Sequence, residues 1–155
     1  GAIVSFDPNL RFPLWPDREM LRQTVLQFLP LSNILKVSDE ELEFLTGTAD
    51  IEAALPQLFA GDVQLVLYTC GSKGAYAYTR ASHAFAPCQK VRAVDTTGAG
   101  DAFFAGTVIG LTYGKTLAES CEIGSRLAAS VICITENVCP RFRPQEFGLD
   151  VPVVD

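Results

Sequence analysis

The run Val63-Gln64-Leu65-Val66-Leu67-Tyr68-Thr69 is almost continuously apolar and β-prone. A strand with one wet face would alternate apolar and polar residues, so this one belongs in a sheet covered on both faces, usually a parallel one. Such a sheet needs helices above and below it, and the chain alternates strand and helix signals accordingly. Ala2 to Phe6 reads as an opening strand stopped by Asp7-Pro8-Asn9. Pro16 and Asp17 then supply helix-start chemistry, and Leu21, Val25, Phe28 and Leu29 recur on one helical face up to Pro30. Ile34 to Val37 is a second short buried strand. Ser38 followed by Glu41 forms an S-x-x-E capping box that opens a helix running to Leu45 and ending at Gly47. Ile51 to Ala60 is a further helix, interrupted by Pro56 and closed by Gly61.

After Thr69, Gly71-Ser72-Lys73-Gly74 turns the chain into a strand over Ala75–Thr79. Ala84-Phe85 and Val91 to Val94 read as two more short strands. The glycine-rich stretch from Thr96 to Gly100 leads into a helix over Ala102–Leu111. A longer helix rich in small residues spans Leu117 to about Ile134, and the tail after Pro140 reads as a surface strap. The opening strand has no partner strand before it, so the chain is expected to be the second half of something larger.

Composition narrows the chemistry. Within 155 residues, 48% are apolar and 19% charged, which excludes a disordered chain. A net charge of −6 argues against a partner bound through neutralised nucleic-acid phosphates. No apolar run reaches the length of a membrane span, and Gly1 to Phe6 lacks the basic flank of a signal peptide, so neither membrane nor secretion is expected. Cys70, Cys88, Cys121, Cys133 and Cys139 form no CxxC pair and read as reduced, mostly buried thiols of a cytoplasmic protein. His83 reads as a surface residue in a hairpin.

The densest chemistry lies in Val94-Asp95-Thr96-Thr97-Gly98-Ala99-Gly100-Asp101. A strand feeds a glycine loop that opens directly into a helix, where free N–H groups and the positive dipole end suit an anion such as phosphate. A carboxylate at Asp101 would be repelled by bound phosphate. It makes sense as a general base taking a proton from a hydroxyl that attacks the phosphate, or as a simple helix cap. A Walker loop is absent, and a dinucleotide fingerprint fails because Phe103 stands where its third glycine belongs.

Asp95 to Asp101 resembles the C-terminal signature of the ribokinase-like (PfkB) carbohydrate kinases. Asp7-Pro8-Asn9-Leu10-Arg11 is similar to the D-x-N-x-R stretch of fructokinases and ketodeoxygluconate kinases. Lys36 to Gly47 resembles a fructokinase segment, and Gly71 to Ala75 the family's nucleotide-phosphate turn. The resemblance covers essentially the whole chain and corresponds to the C-terminal half of a family member. It implies an α/β, ribokinase-like layered fold with a mostly parallel central sheet flanked by helices. Residues 1–155 would be the nucleotide-binding and catalytic part, and the sugar-binding and lid half would lie outside the chain.

The resemblance also implies roles. Asp101 would be the catalytic base, with the amides of Gly98, Ala99 and Gly100 as the anion hole. Thr69, Cys70, Gly71, Ser72, Lys73 and Gly74 would contact ATP, and Ser38 stands where the family's N-x-x-E motif has Asn. Arg11 would reach the sugar or the transferring phosphate, and Glu41 would place magnesium through water. Asp95, the Thr97 carbonyl and carbonyls between Ile132 and Asn137 would hold a monovalent cation, with potassium the candidate. Each has a plainer reading: Gly71–Gly74 a hairpin turn, Ser38 and Glu41 a capping box, Arg11 a partner of Asp7, and Asp95 an Asx turn. The expected reaction is ATP-dependent phosphorylation of fructose, with 2-dehydro-3-deoxygluconate as second substrate and a homodimer admitted at full length. Outside that class, the alternative is a non-catalytic nucleotide-binding fragment.

Overall fold

The structure, a computed structural model, describes residues 1–135 and 143–150. Five strands, β1 (Ser5–Phe6), β2 (Ile34–Ser38), β3 (Leu65–Thr69), β4 (Ala75–Thr79) and β5 (His83–Ala86), form one sheet in the order β1-β2-β3-β4-β5. Strands β1, β2 and β3 run parallel, with Phe6 opposite Leu35 and Ser38 opposite Thr69. The connection from β3 to β4 is far too short for a parallel crossover, so the sheet is mixed. The chain divides into two compact units, Gly1–Cys70 with Ala77–His83, and Gly71–Tyr76 with Ala84–Asp155.

In the first unit, helices α1 (Arg18–Phe28), α2 (Asp39–Thr46) and α3 (Ile51–Leu58) accompany the parallel strands. Leu35, Val37, Val66 and Leu67 are wholly buried, as are Leu42, Leu45 and Leu58 from the helices. The Asp17 side chain caps α1 by accepting from the Met20 amide at 2.8 Å. Gly47 ends α2 at φ 77°, a left-handed geometry open to glycine at little cost. Leu29, in the short 3-10 turn after α1, takes the buried place, whereas Phe28 is exposed, contrary to its place on the expected apolar face. Pro56 does not interrupt α3: the helix runs through it and ends at Leu58, two residues earlier than expected.

The second unit is built on α4 (Ala99–Thr112) and α5 (Leu117–Ile132). Small residues let their backbones approach closely: a Cβ on Gly106 would lie 2.8 Å from the Gly124 Cα, and one on Gly110 would lie 2.8 Å from the Ser120 Cα. Helix α5 opens with a capping box, Thr116 with Glu119, that the sequence signals as T-x-x-E ahead of an apolar run. Around Ala102, Leu127 and Val131, with Phe147 packed against them, a small apolar cluster forms.

Two expected strands change. Of Ala2–Phe6, only Ser5 and Phe6 are regular strand; the Val4 amide donates to the Asn33 side chain at 2.9 Å. Val91–Val94 is not a strand. Both valines are exposed, and the Val94 amide donates to the Ile132 carbonyl at the end of α5, 2.7 Å away. The expected thiol pattern holds in part: Cys70 and Cys121 are buried, Cys88 and Cys133 exposed, and none of these four is in a disulfide. Cys139, Asn137 and the strap after Pro140 lie wholly or partly outside the described residues. No helix among the described residues is long and apolar enough to cross a membrane.

Candidate active site

In open α/β sheets, ligands bind beyond the carboxyl ends of the parallel strands. Three of the expected site segments leave the sheet there: Asp7–Arg11 after β1, Ser38–Glu41 after β2, and Thr69–Gly74 after β3.

The first two segments meet over a buried lysine. Lys36, on β2, is only 7% exposed, and its ammonium donates to Asp7 Oδ1 at 3.2 Å. It also lies 3.1 Å from Asp7 Oδ2, in ionic contact without hydrogen-bond geometry, and 3.7 Å from Glu41 Oε2. Glu41, equally buried, accepts from the Ser38 amide at 2.8 Å and from the Leu10 amide at 2.9 Å. The Ser38 hydroxyl returns the capping bond to the Glu41 amide at 3.2 Å. The capping box is therefore real, and Glu41 does more than cap: it ties α2 to the loop after β1. Burial pushes the Asp7 carboxyl above its usual range, with Lys36 pulling the other way.

Arg11 does not pair with Asp7. Its guanidinium meets the Leu10 carbonyl at 3.2 Å and has no carboxylate partner among the described residues, because Lys36 already occupies Asp7. Asn9, Leu10, Arg11, Lys36, Ser38 and Glu41 line a cleft of about 170 Å³. Lys36 is the residue the sequence reading left without a role. Its signal was a charge inside the apolar run Ile34–Val37, where lysine is almost never buried unless paired.

Thr69 ends β3 half-buried, Cys70 is buried, and Gly71, Ser72 and Lys73 form an exposed 3-10 turn. Gly74 closes it at φ 103°, and a Cβ there would collide with the Ala86 carbonyl at 2.6 Å, so the turn requires glycine.

The Asp95–Asp101 loop is arranged differently. Asp95 Oδ1 accepts from the Thr97 amide at 2.8 Å, the Asx turn of the plainer reading, and that bond followed by the Thr97 hydroxyl holds its carboxyl below the usual range. Gly98 stands at φ 82° and starts α4, its carbonyl accepting from the Ala102 amide at 2.9 Å. The Ala99 amide donates to the Thr96 carbonyl at 3.2 Å to close the turn, which removes it from the three-amide hole expected from the sequence. The amides of Gly98, Gly100 and Asp101 have no partner among the described residues. The Asp101 side chain is exposed in the first turn of α4 and accepts no capping bond, so the cap reading fails. The Ile132 carbonyl, an expected cation ligand, already accepts from Val94 and Asp95. Among the described residues no cluster of His, Cys, Asp and Glu could hold a metal ion.

Residues 1–136 match the pfkB family carbohydrate kinase. Fructokinase-1 of Zea mays is 47% identical over 104 residues, 66% of this chain and 32% of the relative. A fructokinase double mutant of Vibrio cholerae O395, in fructose, ADP and potassium ion bound form, is 34% identical with a TM-score of 0.78, covering 87% of this chain and 46% of its own. Fructokinase of Xylella fastidiosa with bound ATP is 30% identical with a TM-score of 0.78, covering 87% and 47%. The chain thus spans about a third of that plant relative and under half of each solved kinase. With the family matched over most of its length and its strands and helices superposing on family structures, the chain belongs to the pfkB family of carbohydrate kinases.

Proposed function

We propose that the protein carrying this chain transfers the terminal phosphoryl group of ATP to a sugar hydroxyl, with fructose the first substrate and fructose 6-phosphate the product. The observation that carries this reading is the first turn of α4, where the exposed Asp101 carboxylate and the amides of Gly98, Gly100 and Asp101 have no partner among the described residues. A phosphoryl-transfer site needs both: donors where negative charge develops, and a base for the attacking hydroxyl. Asp101 takes that proton. The Gly98 and Gly100 amides receive the phosphoryl oxygens, and Ala99 joins them only by releasing Thr96. Arg11, free of carboxylate partners, meets the sugar or the transferring phosphate. Thr69, Cys70, Gly71, Ser72, Lys73 and Gly74 receive the nucleotide, with Ser38 beside Thr69 in the sheet register.

Glu41 does not fit as a direct magnesium ligand, because its oxygens hold Leu10, Ser38 and Lys36. It reaches a metal only through water, and magnesium enters with the nucleotide phosphates, as such ions usually do. Asp95 and Thr97 hold potassium in this reading, supported by the potassium-bound Vibrio cholerae relative.

The test is phosphorylation of fructose, glucose, ribose and 2-dehydro-3-deoxygluconate by the protein at its natural length. It is run in potassium and in sodium at one ionic strength. Fructose should give the highest kcat/KM, and potassium the higher rate. No turnover with any sugar removes the kinase reading, and a preference for 2-dehydro-3-deoxygluconate replaces the substrate. Equal rates in the two salts leave Asp95 a turn residue.

A further inference from the structure

Arg11 is held from both sides, while its own side chain bonds to the Leu10 carbonyl and to no carboxylate among the described residues. Before it, Asp7 Oδ1 accepts from the Asn9 amide at 3.1 Å, Asn9 takes φ 43°, and the Leu10 amide is fixed on Glu41. After it, the Arg11 carbonyl accepts from the Leu14 amide at 3.0 Å to open the 3-10 turn Phe12–Leu14. The Phe12 ring meets Phe44 edge-on at 5.0 Å, with the Arg18 guanidinium 4.4 Å from its centre. The two carboxylates on the near side, Asp7 and Glu41, face a single cation.

We infer that Lys36 is the positioning residue of the Arg11 arm: pinned between Asp7 and Glu41, it fixes the Asn9–Leu10 turn and with it the point from which Arg11 meets an anionic, phosphate-like group. This rests on the kinase reading for the identity of that group, and on geometry alone for the positioning. Lys36 is engaged by the two carboxylates. It acts through Asp7 on the Asn9 amide and through Glu41 on the Leu10 amide, the two residues just ahead of Arg11. Displacement of a binding group by about 1 Å can cost on the order of 10²-fold in rate, so loss of the lysine should be felt in catalysis although its side chain is buried.

A double-mutant cycle in the protein at its natural length tests the inference, with kcat/KM measured at temperatures where melting curves show each variant folded. Lys36→Met should lose roughly 10²-fold. Arg11→Met should lose as much or more, and the double variant no more than Arg11→Met alone, because a lysine that works through Arg11 has nothing left to position. Losses that multiply would mean a general structural contribution and overturn the inference, as would a wild-type rate in folded Lys36→Met. If Lys36→Met does not fold, Lys36→Met with Asp7→Asn removes the lysine and the carboxylate it donates to, leaves Glu41 on its two amides, and takes its place in the cycle under the same criteria. A separate readout needs no kinase activity: the Leu10 and Ser38 amide NMR resonances. Both should move in the lysine variant while the Thr116 amide stays put, and unmoved Leu10 and Ser38 resonances refute the positioning role even where no sugar is phosphorylated.

Discussion

In the Asp7–Lys36–Glu41 cradle three of the four carboxylate oxygens accept directed hydrogen bonds, and the lysine is buried between them. In the Asp95–Asp101 loop the amides of Gly98, Gly100 and Asp101 lack acceptors among the described residues, and the Asp101 carboxylate lacks a donor among them. Both regions are polar and both follow a strand or an extended segment. The first closes its polar groups on one another and so fixes a shape. The second leaves them open at the start of a helix, where water or a ligand can complete them.

Exchanging one charge in each region should split activity from stability. Asp101→Asn keeps the shape and removes the proposed base, so turnover should fall by roughly 10²–10⁴-fold. Its melting temperature should stay close to that of the wild type, since the exposed Asp101 side chain makes no hydrogen bond or ion pair among the described residues. Lys36→Met does the reverse first: stranding two buried carboxylates should destabilise the fold by about 3–5 kcal/mol. Chemical denaturation and steady-state kinetics on both variants check this. A destabilised Asp101→Asn, or Lys36→Met of unchanged stability, would erase the contrast.

The loop region has its own scaffold, the α4–α5 contact, and this can be broken without touching the open donors. A Cβ on Gly124 would come within 2.5 Å of the Phe103 carbonyl, a backbone atom that can yield little. Gly124→Ala should therefore cost about 1–3 kcal/mol by overpacking. Activity per folded molecule, read below the melting transition, should be unchanged. A loss of kcat at full folding would mean that the packing of α4 and α5 sets the geometry of the first turn of α4.

Much of this was legible in the sequence because it is local. The S-x-x-E box at Ser38, the glycine at the end of α2 and the glycine loop ahead of α4 all depend on a few adjacent residues, and each is found where its spacing puts it. What was not legible depends on partners far along the chain. Arg11 looked like a mate for nearby Asp7, but Lys36, 29 positions away, reaches it first. Val91–Val94 has strand composition, yet its Val94 amide is claimed by the end of α5. Ala99 counted as a free donor until the turn bond to Thr96 was visible. Residue types reveal which groups can bond, while the fold decides which donors are left over.

The finest distinction between the two regions is the direction in which acid moves their carboxylates. Burial raises Asp7 above its ordinary 3.8 despite Lys36, so the folded state holds that proton more tightly than the unfolded chain. The stability linked to it is present below about 3.8 and is lost as pH rises through the raised folded value. Asp95 moves the other way: the Thr97 amide and hydroxyl lower it, so its contribution is present above about 3.8 and is lost as pH falls through the lowered value. Glu119, held by the Thr116 hydroxyl and amide in the α5 capping box, shares that sign. Melting temperatures followed from about pH 3 to 7 in wild type, Asp7→Asn and Asp95→Asn separate the two signs. Asp7→Asn should gain on wild type as pH rises, because it never has to ionise in the cradle. Asp95→Asn should lose part of the wild type's decline on acidification, and the effect should be small because its carboxylate is well hydrated. If Asp7→Asn instead fell behind wild type with rising pH, the Lys36 ion pair would outweigh burial. The cradle would then join the loop as a site that prefers its carboxylate charged.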